Sequence, residues 1–226
     1  VNSQLRLDLA RPAAYRTEAF VASPANAQAV SLVMKDWRGW PGGALALIGP
    51  EGSGKTHLAQ MWVRETGAAI LTAPLGDIAA LAGRPVVVEN VDLKADEDGL
   101  FHLLNLAVAG GAVLLTARSQ PKAWPAALPD LRSRFNGLPI AELGPPDDAI
   151  LAGVLQALFD ERNIRPADDL IPYLLLRMER SPAAARQVVA ALDEAAAGER
   201  REINRTLAVQ VLEVDSVTDD LFDTER

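Results

Sequence analysis

Short apolar runs of strand type alternate with longer segments whose apolar positions recur at helical spacing. The runs are Ala44–Ile48, Ala68–Leu71, Val86–Glu89, Ala112–Thr116 and Leu138–Leu143. Between them, Thr56–Glu65 and Gly99–Ala109 carry the helical period. Continuously apolar strands separated by helices predict a parallel sheet covered on both faces, a three-layer α/β domain. The alternation stops at Gly144-Pro145-Pro146, a strong breaker. Beyond it the pattern is helical throughout: Asp147–Arg162, Ala167–Glu179, Pro182–Ala197 and about Asn204–Val214. Pro182 suits a first helical turn, with Ser181 ahead of it as N-cap. The expected division is an N-terminal segment 1–19, an α/β domain 20–144, a small all-helical domain 145–214 and a tail 215–226.

Composition narrows the chemistry. Of 226 residues 49% are apolar, enough for a packed core. The absence of cysteine excludes disulfides, cysteine nucleophiles and thiolate zinc sites, and two histidines make a histidine-built metal centre a poor reading. Twenty-two basic residues against thirty acidic ones, net −8, argue against gripping nucleic acid through the overall field. Residues 213–226 carry six acids and one arginine and read as a solvated end. No run approaches the ~20 apolar residues of a membrane span, and the start has no signal-peptide pattern. The expectation is a cytoplasmic protein with no membrane partner.

The specific signal is GPEGSGKT, formed by Gly49, Pro50, Glu51, Gly52, Ser53, Gly54, Lys55 and Thr56 between a predicted strand and a predicted helix. In that context GxxxxGK[ST] is a P-loop: its glycines let successive N–H groups face phosphates, and the helix offers its positive end. Lys55 would reach the β- and γ-phosphates of bound ADP or ATP, and the Thr56 hydroxyl would ligate Mg²⁺. Glu89, at the end of another strand, is the second candidate for Mg²⁺, through its waters. The next residue is Asn90, an amide that cannot take a proton at neutral pH, so intrinsic ATPase is expected to be weak or absent. Arg134, just before the last strand, and Arg186, on the third helix after the breaker, are either solvated arginines or groups that complete a nucleotide site.

At these residues the chain resembles the AAA+ ATPases, and within them the family of the bacterial replication initiator DnaA and its shorter homologue Hda. The resemblance runs from about Phe20 to Leu212. His57 and Leu58 match the extension of the P-loop, LLTARSQP (Leu114–Pro121) is similar to the sensor-1 strand, LRSRF to the arginine-finger motif, and Arg186 falls at the sensor-2 arginine. The resemblance implies that Arg134 acts in trans on a neighbour's nucleotide and that Phe20 and Val21 line the adenine pocket. The chain departs from the pattern at Asn90, where an acid is usual, and at Arg118, where sensor 1 is usually polar or acidic; Thr116 is the other candidate there. The acidic tail, in place of a basic helix-turn-helix domain, is similar to the shorter regulators.

QLRLDL precedes the resemblance. Leu5, Leu7 and Leu9 fall on one side of an extended segment, which suits an edge strand or a peptide docking into a partner's groove. It is similar to the peptide by which Hda-like proteins hold the sliding clamp of DNA polymerase III, through Gln4, Leu5, Leu7 and Leu9. The implied function is a nucleotide-dependent regulator that stimulates hydrolysis of DnaA-bound ATP, leaving ADP-DnaA, with DNA met only through the clamp and a homodimer conceivable. Other readings are a helicase-loader-type ATPase adaptor and a P-loop kinase of a small metabolite. The four tryptophans and His102 read as structural residues.

Overall fold

The computed structural model describes residues 20, 21, 23–93, 96–199 and 202–212. Gln4, Leu5, Leu7 and Leu9, and the tail 215–226, lie outside them. Five strands, β1 (Ala44–Ile48), β2 (Ala69–Leu71), β3 (Pro85–Val88), β4 (Ala112–Ala117) and β5 (Ile140–Glu142), form one sheet in the order β2-β3-β4-β1-β5. Every pairing is parallel. The central strands β1 and β4 are buried along their whole length, as expected of strands covered on both faces.

Alternate side chains of these strands feed two separate cores. Ala44, Ala46, Ile48, Val86, Val88, Val113 and Leu115 point to the face covered by α3 (Glu97–Val108) and α4 (Pro129–Asn136). Leu45, Leu47, Val87, Leu114 and Ala141 point to the face covered by α1 (Ala27–Met34) and α2 (Lys55–Thr66). The fold is therefore the three-layer α/β sandwich that the sequence pattern predicts.

After β5 the chain is helical: α5 (Asp148–Glu161), α6 (Leu170–Leu175), α7 (Pro182–Glu199) and a last helix, α8, over residues 205–212. Leu151, Leu155, Phe159, Leu174, Val189, Leu192 and Leu207 pack into a third core of their own. Asp147 caps α5 by accepting from the Ile150 amide, and Ser181 Oγ accepts from the Ala184 amide at the start of α7. The helix predicted over Ala167–Glu179 is much shorter, six residues, because Pro172 is confined to its first turn and the chain leaves helical pairing after Leu175. Helix α4 was not apparent from the periodicity, being only eight residues long; its one sequence mark is Pro129 at the first position.

Trp40, Trp62 and Trp124 are buried, and Trp62 meets Trp37 edge-on and stacks with Trp40. Packing is thus their role. His102 instead lies exposed on α3 beside Phe101.

Candidate functional site

The Gly49–Thr56 loop leaves the C-terminal end of β1, between β4 and β5, where an open parallel sheet forms its ligand crevice. Gly52 and Gly54 have φ of 76° and 95°, the left-handed region that glycine enters without steric cost. A Cβ at Gly49 would collide with the Leu143 carbonyl behind the loop. The loop curls only because those positions lack side chains.

Lys55, at the first position of α2, is buried, and its Nζ donates to the carbonyls of Gly49 and Pro50 at 2.7 Å each. An ammonium carries three donors, so one remains for a ligand inside the curl. Burial, with the Arg118 guanidinium adding to it, holds the Lys55 ammonium below the ordinary lysine value, while Asp92 and Glu51 pull it back. The lysine is a partly desolvated positive charge, which strengthens its pull on an anion.

The Thr56 hydroxyl donates to the Glu89 carboxylate, so α2 and the end of β3 meet through the two residues expected to serve Mg²⁺. Burial raises the Glu89 carboxyl above the usual carboxylate range; the Thr56 hydrogen bond opposes this less strongly. Three polar atoms of the region are buried with no hydrogen-bond partner: Ser53 Oγ, Glu89 Oε1 and Asp92 Oδ1. Two orphaned carboxylate oxygens beside a threonine hydroxyl are the oxygen donor set of a hydrated magnesium ion. The residues present therefore fit Mg²⁺. Among the described residues no cluster of three or more His, Cys, Asp or Glu forms a cage for a metal by itself.

Asp92 belongs to this site. Its Oδ2 accepts from the backbone amides of Arg118 and Ser119 at 2.8 and 3.2 Å, tying the β3 loop to the turn after β4. Its position just past the strand that ends at Glu89 makes it, with Glu89, a candidate carboxylate in the sequence; its two amide partners are what the structure adds. Asn90 has φ 55°, a conformation asparagine tolerates better than most residues, and its backbone N–H donates to Thr116 Oγ1 at 3.1 Å. Thr116 is fully buried and spent on that junction. Arg118, by contrast, reaches over the loop and pairs with Glu51 at 2.9 Å.

Phe20 and His57 come together at the loop, their rings edge-on with centroids 5.3 Å apart, and a Cβ at Gly54 would touch the Phe20 ring at 3.6 Å. Val21 packs against Gly153 on α5, where a Cβ would collide with it. The start of α7 abuts the loop as well: a Cβ at Gly52 would lie 3.2 Å from Pro182. Arg186 is four residues on and shares that face of α7; it is exposed and has no hydrogen bond or ion pair among the described residues.

Arg134 lies elsewhere. Helix α3 runs back from the loop end of the sheet, and its last turn approaches the segment before β1, where a Cβ at Gly43 would meet the Ala107 carbonyl. Asn105 is in that last turn, about 12 Å along the axis from Glu97 at 1.5 Å per residue. Arg134 Nη2 donates to Asn105 Oδ1 at 2.6 Å. Its guanidinium therefore sits toward the opposite end of the strands from its own phosphate-type loop.

No family model and no curated protein matches the sequence. Solved structures do match. Domain III of the Thermotoga maritima replication initiation protein DnaA superposes with a TM-score of 0.71 at 19% identity, over 88% of this chain and 95% of that one. This is a DnaA-like AAA+ fold. Replication initiator DnaA bound to AMPPCP and single-stranded DNA gives 0.65 at 17% identity, over 83% of this chain and 68% of that one. The Thermotoga maritima RuvB Holliday junction branch migration motor gives 0.60 at 19%, over 76% of this chain and 61% of that one. Within this AAA+ fold the five-stranded parallel sheet and the P-loop position are common ground. No helix among the described residues is long and apolar enough to cross a membrane.

Proposed function

We propose that this chain is a nucleotide-dependent AAA+ regulator of the Hda type, which binds the sliding clamp of DNA polymerase III and stimulates hydrolysis of ATP held by DnaA. Gly49–Thr56 cradles the phosphates of a resident ADP or ATP, Lys55 and Arg186 supply positive charge, and Phe20, Val21 and His57 bound the base side. When bound, Mg²⁺ neutralises phosphate charge, held by Thr56 and, with Asp92 nearby, by Glu89 through water. Asn90 cannot act as a base, so the resident nucleotide turns over slowly and serves to set the relation of the helical region to the sheet.

The observation that carries the proposal is the position of Arg134. Its guanidinium lies away from its own P-loop, anchored by one bond to Asn105, with its remaining donors turned to no partner among the described residues. An arginine held by a single neutral acceptor away from its own P-loop suits a neighbour's γ-phosphate, where an arginine finger is worth ~10³–10⁵ in rate. Hydrolysis would then occur on DnaA and leave its ADP form. A second copy of this chain could accept the same arginine in a homodimer. A helicase-loader reading shares these residues but replaces the clamp with a helicase.

The test is the fate of labelled ATP prebound to DnaA, in the presence of clamp-loaded DNA. Conversion to ADP that requires both the clamp and Arg134 is expected, and Arg134→Ala should remove it. Gln4→Ala should weaken clamp binding and the clamp dependence together. No conversion by a chain that still binds nucleotide would overturn the proposal and favour the adaptor reading.

A further inference from the structure

The α4 segment carries two arginines two positions apart, and the structure treats them differently. Arg132 is spent on backbone: its guanidinium donates to the carbonyls of Lys122, Trp124 and Ala126 at 3.3, 2.9 and 2.8 Å. It is a strut that fixes the turn before α4. Arg134 has one hydrogen bond, to the neutral Asn105 Oδ1, and its Cζ lies 5.2 Å from the centroid of the Phe101 ring. Phe101 and Asn105 are four residues apart and so share one face of α3. Beneath them the backbone is rigid, because Leu131 and Phe135 of α4 are buried and Phe135 meets Trp124 edge-on at 5.0 Å.

We propose that Asn105, seconded by the Phe101 ring, is a positioning residue for the Arg134 guanidinium. The inference rests on the reading that Arg134 acts on a partner's nucleotide. An arginine side chain has large rotamer freedom, and ordering it when the partner docks costs free energy that a preformed anchor removes. The anchor has the right chemistry. An amide oxygen holds one Nη2 hydrogen and leaves the other guanidinium donors to an incoming phosphate. Being neutral, it does not cancel the positive charge, as a carboxylate would. The ring face holds the cation in place in the same sense.

The experiment compares full-length wild type with Asn105→Ala, Asn105→Asp and Arg134→Ala, using labelled ATP prebound to DnaA with clamp-loaded DNA. Rates are recorded across regulator concentration and at two salt concentrations. Asn105→Ala is expected to lower the maximal stimulated rate about 10- to 100-fold, the scale of a misplaced catalytic group, with the half-saturating concentration unchanged. Asn105→Asp retains the acceptor but pairs with the cation, so its deficit should shrink as salt screens the pair. A purely structural defect would show neither the rate-only effect nor the salt dependence. If Arg134→Ala abolishes stimulation while both Asn105 variants match wild type, the positioning role is overturned and the finger reading stands. If Asn105→Ala shifts only the half-saturating concentration, Asn105 is a docking residue and the proposal is overturned. If Arg134→Ala itself stimulates normally, the finger reading falls first and takes the positioning role with it.

Discussion

The two ends of the sheet are built on opposite principles. At the C-terminal end of β1, charge is turned inward: Lys55 is buried against the carbonyls of its own loop, Thr56 against Glu89, and three polar atoms wait without partners. At the other end, on the face of α3 and α4, the charge of Arg134 is half-buried over the Phe101 ring and held by a single neutral acceptor. The first arrangement is costly in the free protein and is repaid when a ligand satisfies it. The second costs the free protein little. A site that stores unsatisfied polar atoms suits a small ligand, and on the proposed function a lightly tethered charge suits a second molecule.

Breaking the inward end should have the largest effect. Lys55→Ala removes a charge-assisted contact in a desolvated loop and should weaken ATP or ADP binding about 100-fold, about 3 kcal/mol, by calorimetry. The same change should leave α4 and its arginine intact.

Glu89→Gln separates stability from ligation. Burial raises the Glu89 carboxyl in the folded state, so its contribution favours folding most below the usual carboxylate range and is lost as pH rises through the raised value. Removing the charge should therefore stabilise the ligand-free protein at neutral pH, by about 1 kcal/mol in urea unfolding, an effect that disappears in acid. The variant should lose Mg²⁺-dependent nucleotide affinity all the same. In the wild type, that affinity should fall as pH drops toward the raised Glu89 value, because a protonated carboxyl is no partner for a metal's water.

The two arginines of α4 sharpen the contrast at the other end. Arg132→Ala strips three carbonyls of their donor and should cost about 2 kcal/mol of stability. Arg134→Ala loses one hydrogen bond and a ring contact and should cost about 1 kcal/mol or less. Chemical denaturation of both variants checks the order, and a reversal would show Arg134 to be structural.

Much of this architecture was legible in the chain. The strands stand where continuous apolar runs end at glycine or polar residues, and the P-loop was readable because its glycines, lysine and threonine are contiguous. Thr56 and Glu89 were each readable as candidates for Mg²⁺, since each ends or opens an element that the period had already located, but the hydrogen bond between them was not. What escaped the sequence is held by contacts between distant segments. Asn105 is an unremarked polar position on an apolar helix until α4 crosses it. Asp92 was readable as an acid just past the strand that ends at Glu89, but not its tie to the Arg118 and Ser119 amides. Arg118 was anticipated as a departure from the family pattern, but its pairing with Glu51 across the loop depends on how β4 and β1 lie side by side.

The central claim is that Arg134 serves a nucleotide other than the one its own chain holds. The most direct measurement is the affinity of the isolated protein for ADP and ATP, in wild type and in Arg134→Ala, at a concentration low enough to keep copies apart. The account predicts dissociation constants that agree within about two-fold, since removing a charge remote from the P-loop should change the binding free energy by no more than about 0.4 kcal/mol. A loss of ten-fold or more would place Arg134 at its own chain's nucleotide and contradict the account.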